Sequence, residues 1–249
     1  MNKLSVTLIT KDEEQNIKRC LDSVKWADEI VLVDCGSKDK TLSIAHTYPN
    51  CNTHYIPWQG FGLQKQAAVD LTKNDWILSI DADEELSLEL QNTIRETLHD
   101  PDAPGYRIRR NSFYLGRMIK HCGWNHDFPL RLFNKNHGRF NNRPVHEYVE
   151  LNGDVSKIFD PLFHYTYPAV KDHIRKISFY SGLGARELFE KNKRSHPVAA
   201  FLRGMFKFIK MYFLQMGFLD GKEGLILACL SGFGVSLKYL KLWEMNRSG

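Results

Sequence analysis

Apolar residues in the first hundred positions come in short runs divided by polar, helix-periodic stretches. The runs SVTLIT (5–10), EIVLVD (29–34) and WILSI (76–80) are rich in Val, Ile and Leu rather than alternating, the pattern of strands buried on both faces. Between and after them, apolar residues at helical spacing predict helices over 15–23, 41–46, 64–71 and 87–99, with a shorter strand over 53–56. Repeated strand–helix units predict an α/β fold with a mostly parallel, Rossmann-like sheet and right-handed crossovers. From 101 to 167 the pattern is mixed: GYRIRRNSFY and LRLFN read as strands among loops rich in His, Asn, Gly and Arg. After Pro168 it is helical to the end, and no repeat, low-complexity segment or flexible linker interrupts the chain.

The last third changes the picture. Of the net charge of +5 over 249 residues, +7 falls after residue 190, where ten Lys/Arg meet three Asp/Glu, so the first 190 residues carry −2. From Val198 to Leu219 nearly every residue is apolar or aromatic, and Arg203, Lys207 and Lys210 recur at helical spacing. The run 225–237 would rise about 20 Å as a helix, short of a hydrocarbon core of roughly 30 Å, so a membrane span is not expected. Helices lying in the membrane interface, with cations on anionic lipid, fit this pattern; packing on the rest of the protein or dimerisation is the alternative. Cations interleaved with Leu, Met and Phe do not follow a phosphate backbone, so no nucleic acid partner is expected. Five scattered cysteines without a CxxC pair speak against disulfides and cysteine zinc sites. The N-terminus turns acidic too soon for a signal peptide, so the chain is expected to begin folding in the cytoplasm.

Candidate chemistry gathers at predicted strand ends. In ILSIDADEEL (77–86), Asp81 lies just beyond an apolar strand, and ligands of open parallel sheets bind beyond the carboxyl ends of strands. Residues two apart in extended chain face the same way, so Asp81 and Asp83 are expected to converge, a pair of hard oxygen donors for Mg²⁺ or Mn²⁺. Glu84 and Glu85 read instead as first-turn acids favoured by the helix macrodipole. VLVDCGSKDKT repeats the plan: Asp34 ends a strand, where it can accept a hydrogen bond from a base or ribose or cap the turn, and Asp39 reads as a helix N-cap. TLITKDEEQN contributes Thr10, Lys11 and Glu13, and GFGLQKQAAVD offers Lys65 as a cation for a diphosphate or as a surface lysine. His121, His126, His137 and His164 fit no zinc-ligand spacing.

ITKDEEQNIKRCLDSV, VLVDCGSKDKT and QKQAAVDLTKNDWILSIDADEEL, taken together, resemble the family 2 glycosyltransferases of GT-A fold over the first 90 residues or so. The resemblance implies that Asp34 contacts the donor's base, that Asp81 and Asp83 form the Asp-x-Asp motif around Ala82 with Asp83 the main metal ligand, and that Glu13 is the first-loop Glu. Lys65 stands where relatives often carry Arg. GWNHDFPLRLFNKNHGRFNNRPVHEYVE and GFLDGKEGLILACLSGFGVSLKYLKLWE look like bacterial lipopolysaccharide inner-core glucosyltransferases acting on heptose. The implied organisation is a GT-A domain over 1–167, with a nucleotide-sugar half (1–95) and an acceptor half (96–167), followed by a helical membrane-associating region over 168–249.

The implied reaction is metal-dependent, inverting transfer of a hexose, glucose from UDP-glucose, to a lipid-linked saccharide on the cytoplasmic membrane face. A polyprenyl phosphate or capsular precursor is the alternative acceptor, and a non-catalytic sugar-nucleotide binder the alternative class. An acceptor hydroxyl needs a general base. Glu147 is the candidate and Asp127 its rival, with His146 beside the diphosphate or as a further metal ligand. Glu147 could equally pair with Arg131 or Arg143, and Arg131 could steady a phosphate or form a structural salt bridge.

Overall fold

In the computed structural model, which describes residues 2–125, 127–142 and 147–248, the apolar runs form the centre of a sheet. Strands β1 (Leu4–Thr10), β2 (Glu29–Asp34), β3 (Cys51–Tyr55) and β4 (Trp76–Asp81) lie parallel in the order β3-β2-β1-β4. Helices α1 (Ile17–Val24), α2 (Thr41–Ala45) and α3 (Phe61–Asp70) connect them, as the periodicity predicts. Both faces are covered, which is why these strands read as continuous apolar runs. Even-numbered residues Leu4, Val6, Leu8, Ile30, Leu32, Leu78 and Ile80 join α1 in the largest core cluster. On the other face Val31 and Val33 meet Ala68 of α3, and Ile77 meets Val69 and Phe133. Each such side chain contributes about 1.5–3 kcal/mol on burial.

Past β4 the chain departs from the expected strand-to-helix step. Asp81 is followed by a two-residue turn and then β5 (Glu84–Leu86), so Glu84 and Glu85 lie on a strand and not in a first helical turn. Helix α4 (Leu88–His99) begins later; Ser87 caps it by accepting from the Leu90 N–H at 3.1 Å, and Glu89 is its first-turn acid. The mixed middle supplies β6 (Gly105–Tyr114), β7 (Arg117–Met118), β8 (Leu130–Asn134), β9 (Gly138–Phe140), β10 (Val149–Leu151) and β11 (Val155–Tyr167). The sheet continues from β4 through β8, β6 and β11 to β5, with β4–β8, β8–β6 and β11–β5 antiparallel, and β9 pairs with β10 separately. With these antiparallel pairs beside the parallel ones, the sheet as a whole is mixed rather than mostly parallel.

The chain divides into two units, residues 1–110 with 127–164, and residues 111–126 with 165–249. The helical region thus takes in the excursion 111–126 as well as the segment expected after 167. In this second unit, α5 (Val170–Glu190), α6 (Pro197–Ile209), a π-turn over Lys210–Leu214, a 3-10 turn over Gly217–Asp220 and α7 (Gly221–Ser248) follow in order. Helices α6 and α7 cross where Gly204 meets Gly232 and Ser236; a Cβ on Gly204 would lie 2.6 Å from the Gly232 carbonyl oxygen. Buried Asp220 ties down the excursion by accepting from the N–H groups of Lys120 (3.1 Å) and His121 (2.8 Å). Val198, Phe201, Leu202, Met205, Phe206 and Ile209 leave α6 with an exposed apolar face. The run 225–237 is part of a much longer helix. The segment Gly217–Arg247 is long and apolar enough, by length and composition, to cross a membrane, so the length argument drawn from the short run no longer applies.

Buried His173 marks the core of this unit. It stacks on Tyr167 with ring centroids 4.4 Å apart and shares a 2.9 Å hydrogen bond with the Tyr114 hydroxyl. Burial, reinforced by Lys176, pushes its pKa down to about 4 from an ordinary 6.5. The unfolded chain therefore binds a proton here before the folded one does. His173 contributes stability that is full above pH 6.5 and is lost as pH falls toward 4. Melting temperature should fall across that window in the native protein, and less steeply in His173→Gln; equal slopes would show that another group carries the dependence.

Candidate active site

The parallel register brings three predicted residues to one edge. Thr10 pairs with Asp34 across β1 and β2, and Ile9 pairs with Asp81 across β1 and β4, so all three strands end together. Asp34 holds its own turn: one carboxylate oxygen accepts from the N–H groups of Gly36 (2.7 Å) and Ser37 (2.9 Å), and the other from the Ser37 hydroxyl. The loop after β1 is laced to this turn. Asp12 accepts from the Lys38 N–H at 2.7 Å, and Asp39 from the Glu14 N–H at 3.0 Å. Asp39 also accepts from the Thr41 N–H at 2.9 Å, close to its expected capping role. Lys11 stands exposed on this loop, while Glu13 accepts from the Asn16 side chain at 2.8 Å.

Behind the end of β4 runs a chain of alternating charges. Lys65, buried on α3, bridges Asp81 at 2.9 Å and Glu147 at 3.0 Å. Arg131 of β8 bridges Asp81 at 2.7 Å and fully buried Glu84 at 2.6 Å. Arg110 of β6 continues from Glu84 at 3.0 Å to Asp127 at 2.6 Å. Burial opposes the charge on Asp81, yet Arg131 and Lys65 hold its carboxyl well below the usual carboxylate range. Burial likewise opposes the charge on Arg131, and Asp81 and Glu84 together hold it protonated. Beside them the Cys20 thiol is pushed well above its ordinary range by burial and then by Glu84, Asp83 and Asp81.

This arrangement revises three expectations. Residues 82–83 form a turn, so the extended-chain rule does not govern Asp81 and Asp83; Ala82 is buried and Asp83 faces His164 of β11 at 3.4 Å. Arg131 is engaged by fully buried Glu84 and half-buried Asp81, which makes it a member of a structural salt bridge. Glu147 is held by Lys65 rather than by Arg131. The expected ligand His146, with His126 and Arg143, lies outside the described residues. Glu84 and Arg110 were missed in the sequence; the signal for Glu84 was a third acid, after Asp81 and Asp83, too close to the strand to start a helix.

The charge chain and Asp83 hold five carboxylates against three cations, Lys65, Arg131 and Arg110, which suits a further positive charge. Among the described residues no group of three or more His, Cys, Asp or Glu forms a protein cage for a metal. Asp83 fits the alternative, a hard cation held by one carboxylate that completes its shell with water and substrate phosphate.

Glu84 faces both arginines without access to solvent. Glu84→Gln leaves Arg131 and Arg110 short of a counter-charge and should destabilise the protein by about 3–5 kcal/mol, the ordinary cost of breaking a buried pair. Urea unfolding measures it, and a loss below about 1 kcal/mol would show that the pairs are not buried as described.

Comparison with known proteins gives the geometry its context. Residues 5–149 match the family model described as glycosyl transferase family 2. An uncharacterized glycosyltransferase of Rickettsia bellii is 32% identical over 98% of this chain and 87% of its own. A lipopolysaccharide core biosynthesis glycosyltransferase, LpsC of Rhizobium meliloti, is 28% identical over 92% of this chain and 90% of its own. S. aureus TarS 1-349, solved in complex with UDP, matches with a TM-score of 0.51 at 16% identity, covering 99% of this chain and 92% of that one. The fold is the GT-A fold of such enzymes, carrying a long apolar helix near its C-terminus. The chain belongs to glycosyltransferase family 2 and is a glycosyltransferase.

Proposed function

We propose that the protein transfers glucose from UDP-glucose, with inversion, to a heptose of the lipopolysaccharide inner core at the cytoplasmic membrane face. The observation that carries the donor half is the common edge formed by Thr10, Asp34 and Asp81, with Asp83 in the turn immediately beyond. TarS has been solved with UDP and with UDP-GlcNAc, which supports a uridine diphosphate sugar as donor class. LpsC supports the acceptor class. The exposed apolar face of α6, with exposed Lys210 just beyond the helix, supports contact with an anionic membrane where a lipid-linked acceptor resides.

In this reading Asp34 and Thr10 take the nucleobase, with Lys11 and Glu13 on the adjoining loop. Lys65 is the cation nearest the diphosphate, steadied by Asp81. Asp83 would hold Mg²⁺ or Mn²⁺, which as a Lewis acid favours departure of the nucleoside diphosphate. Glu147, anchored by Lys65 at 3.0 Å, accepts the proton of the attacking hydroxyl. Arg131, Glu84 and Arg110 touch no substrate and keep Asp81 in place. Attack opposite the leaving group inverts the anomeric carbon.

Mass spectrometry of product from paired donors and acceptors tests the proposal: UDP-glucose with a heptose-bearing core should give a product one hexose heavier. Labelling of a polyprenyl phosphate instead would move the acceptor, and no transfer from any uridine diphosphate sugar would overturn the reading. In the same assay Glu147→Gln should keep UDP binding and lose about 10²-fold or more in turnover. Near-normal turnover would shift the base to Asp127. Asp83→Ala should abolish Mn²⁺-dependent UDP binding in calorimetry with the fold intact, and unchanged affinity would remove Asp83 from the metal site.

A further inference from the structure

The edge that ends in Thr10 and Asp34 extends one strand further. Asp34 pairs in register with Tyr55, the last residue of β3, so Thr10, Asp34 and Tyr55 end three adjacent parallel strands. In-register neighbours on parallel strands point to the same face, with about 4.8 Å between strands. The three side chains therefore form a row, with Asp34 midway.

Their situations differ in a way that suggests a ligand. The Thr10 hydroxyl is buried and has no hydrogen-bond partner among the described residues. Asp34 is buried and holds the turn through Gly36 and Ser37. Tyr55 is 70% exposed on the edge strand of the sheet, and a Cβ added to Gly36 would lie 3.6 Å from its ring. Gly36 has φ +96°, a backbone conformation that disfavours a side chain, so the space beside the ring stays open. A single exposed tyrosine needs no explanation. One that flanks a buried carboxylate and an orphaned hydroxyl in the same row does.

We propose that Tyr55 is the stacking platform for the donor's nucleobase, its ring against the face of the base while Asp34 and Thr10 meet the polar edge. The proposal rests on the nucleotide-sugar reading above and adds a residue to it. Stacking on an aromatic side chain uses the π-face that every base has, so Tyr55 contributes affinity, and the choice among bases falls to the hydrogen-bonding pair.

The test measures UDP binding by calorimetry, with Mn²⁺ present, in the full chain and in Tyr55→Ala, Tyr55→Phe and Tyr55→Trp, with melting temperature alongside. Tyr55→Ala should weaken UDP about tenfold, the scale of one base–aromatic contact, while Phe and Trp stay within about twofold. Inorganic pyrophosphate, read as a competitor, should keep its constant in Tyr55→Ala. Unchanged UDP affinity in Tyr55→Ala, an equal loss in Tyr55→Phe, or an equal loss for pyrophosphate would each overturn the platform and leave the proposed function standing. Failure of the unaltered protein to bind UDP at all would overturn that function and the platform with it.

Discussion

Charge cannot be left unpaired inside a protein, and the end of β4 is built to that requirement. Glu147, Lys65, Asp81, Arg131, Glu84, Arg110 and Asp127 alternate in sign along one line of contacts. A buried ion pair is a weak source of net stability, because desolvation offsets most of the attraction. Its stronger effect here is positional: each cation is shared by two carboxylates from different elements, so moving one member exposes a charge elsewhere. The line joins α3, β4, β5, β6 and β8 and holds the turn that presents Asp83. Both candidate bases, Glu147 and Asp127, stand at its two ends.

Much of the first half could be read from the residues because its signals are local. A run such as EIVLVD states both its strand and its burial, and the structure returns Glu29–Asp34 with every residue buried. The placement of Asp34 at a strand end follows from the same run. The charge line could not be read that way, since Arg131 and Arg110 lie 47 and 26 residues from the Glu84 they neutralise. Only the antiparallel return of β8 and β6 brings them together; the strands themselves could be read from the sequence, but their places in the sheet could not. The same non-locality explains the revision at Asp81 and Asp83. The rule that residues two apart face alike fails when a turn intervenes, and DADEE gives no separate mark for turn, strand and helix.

The second unit follows another logic. Its helices pack through small residues, with Gly204, Gly232 and Ser236 allowing backbones to approach, while larger apolar side chains on α6 face outward. That inversion of the usual pattern makes the exposed face costly in water. Large side chains such as Met211 and Leu227 do fill the interior of this unit, but those on the outer face of α6 are left without internal contacts to account for them.

The two-residue link between β4 and β5 has a geometric corollary. The strands follow each other in sequence, yet β8, β6 and β11 lie between them in the sheet. Four strand spacings of a flat sheet would separate them by about 19 Å, whereas three residue steps reach about 10 Å. The intervening strands must therefore bow until the far margin returns to the middle, and residues 82 and 83 form the clasp that keeps them bowed. Any deformation that unrolls this half strains the backbone on either side of Asp83 first, so the curvature of the sheet and the position of Asp83 are one mechanical variable.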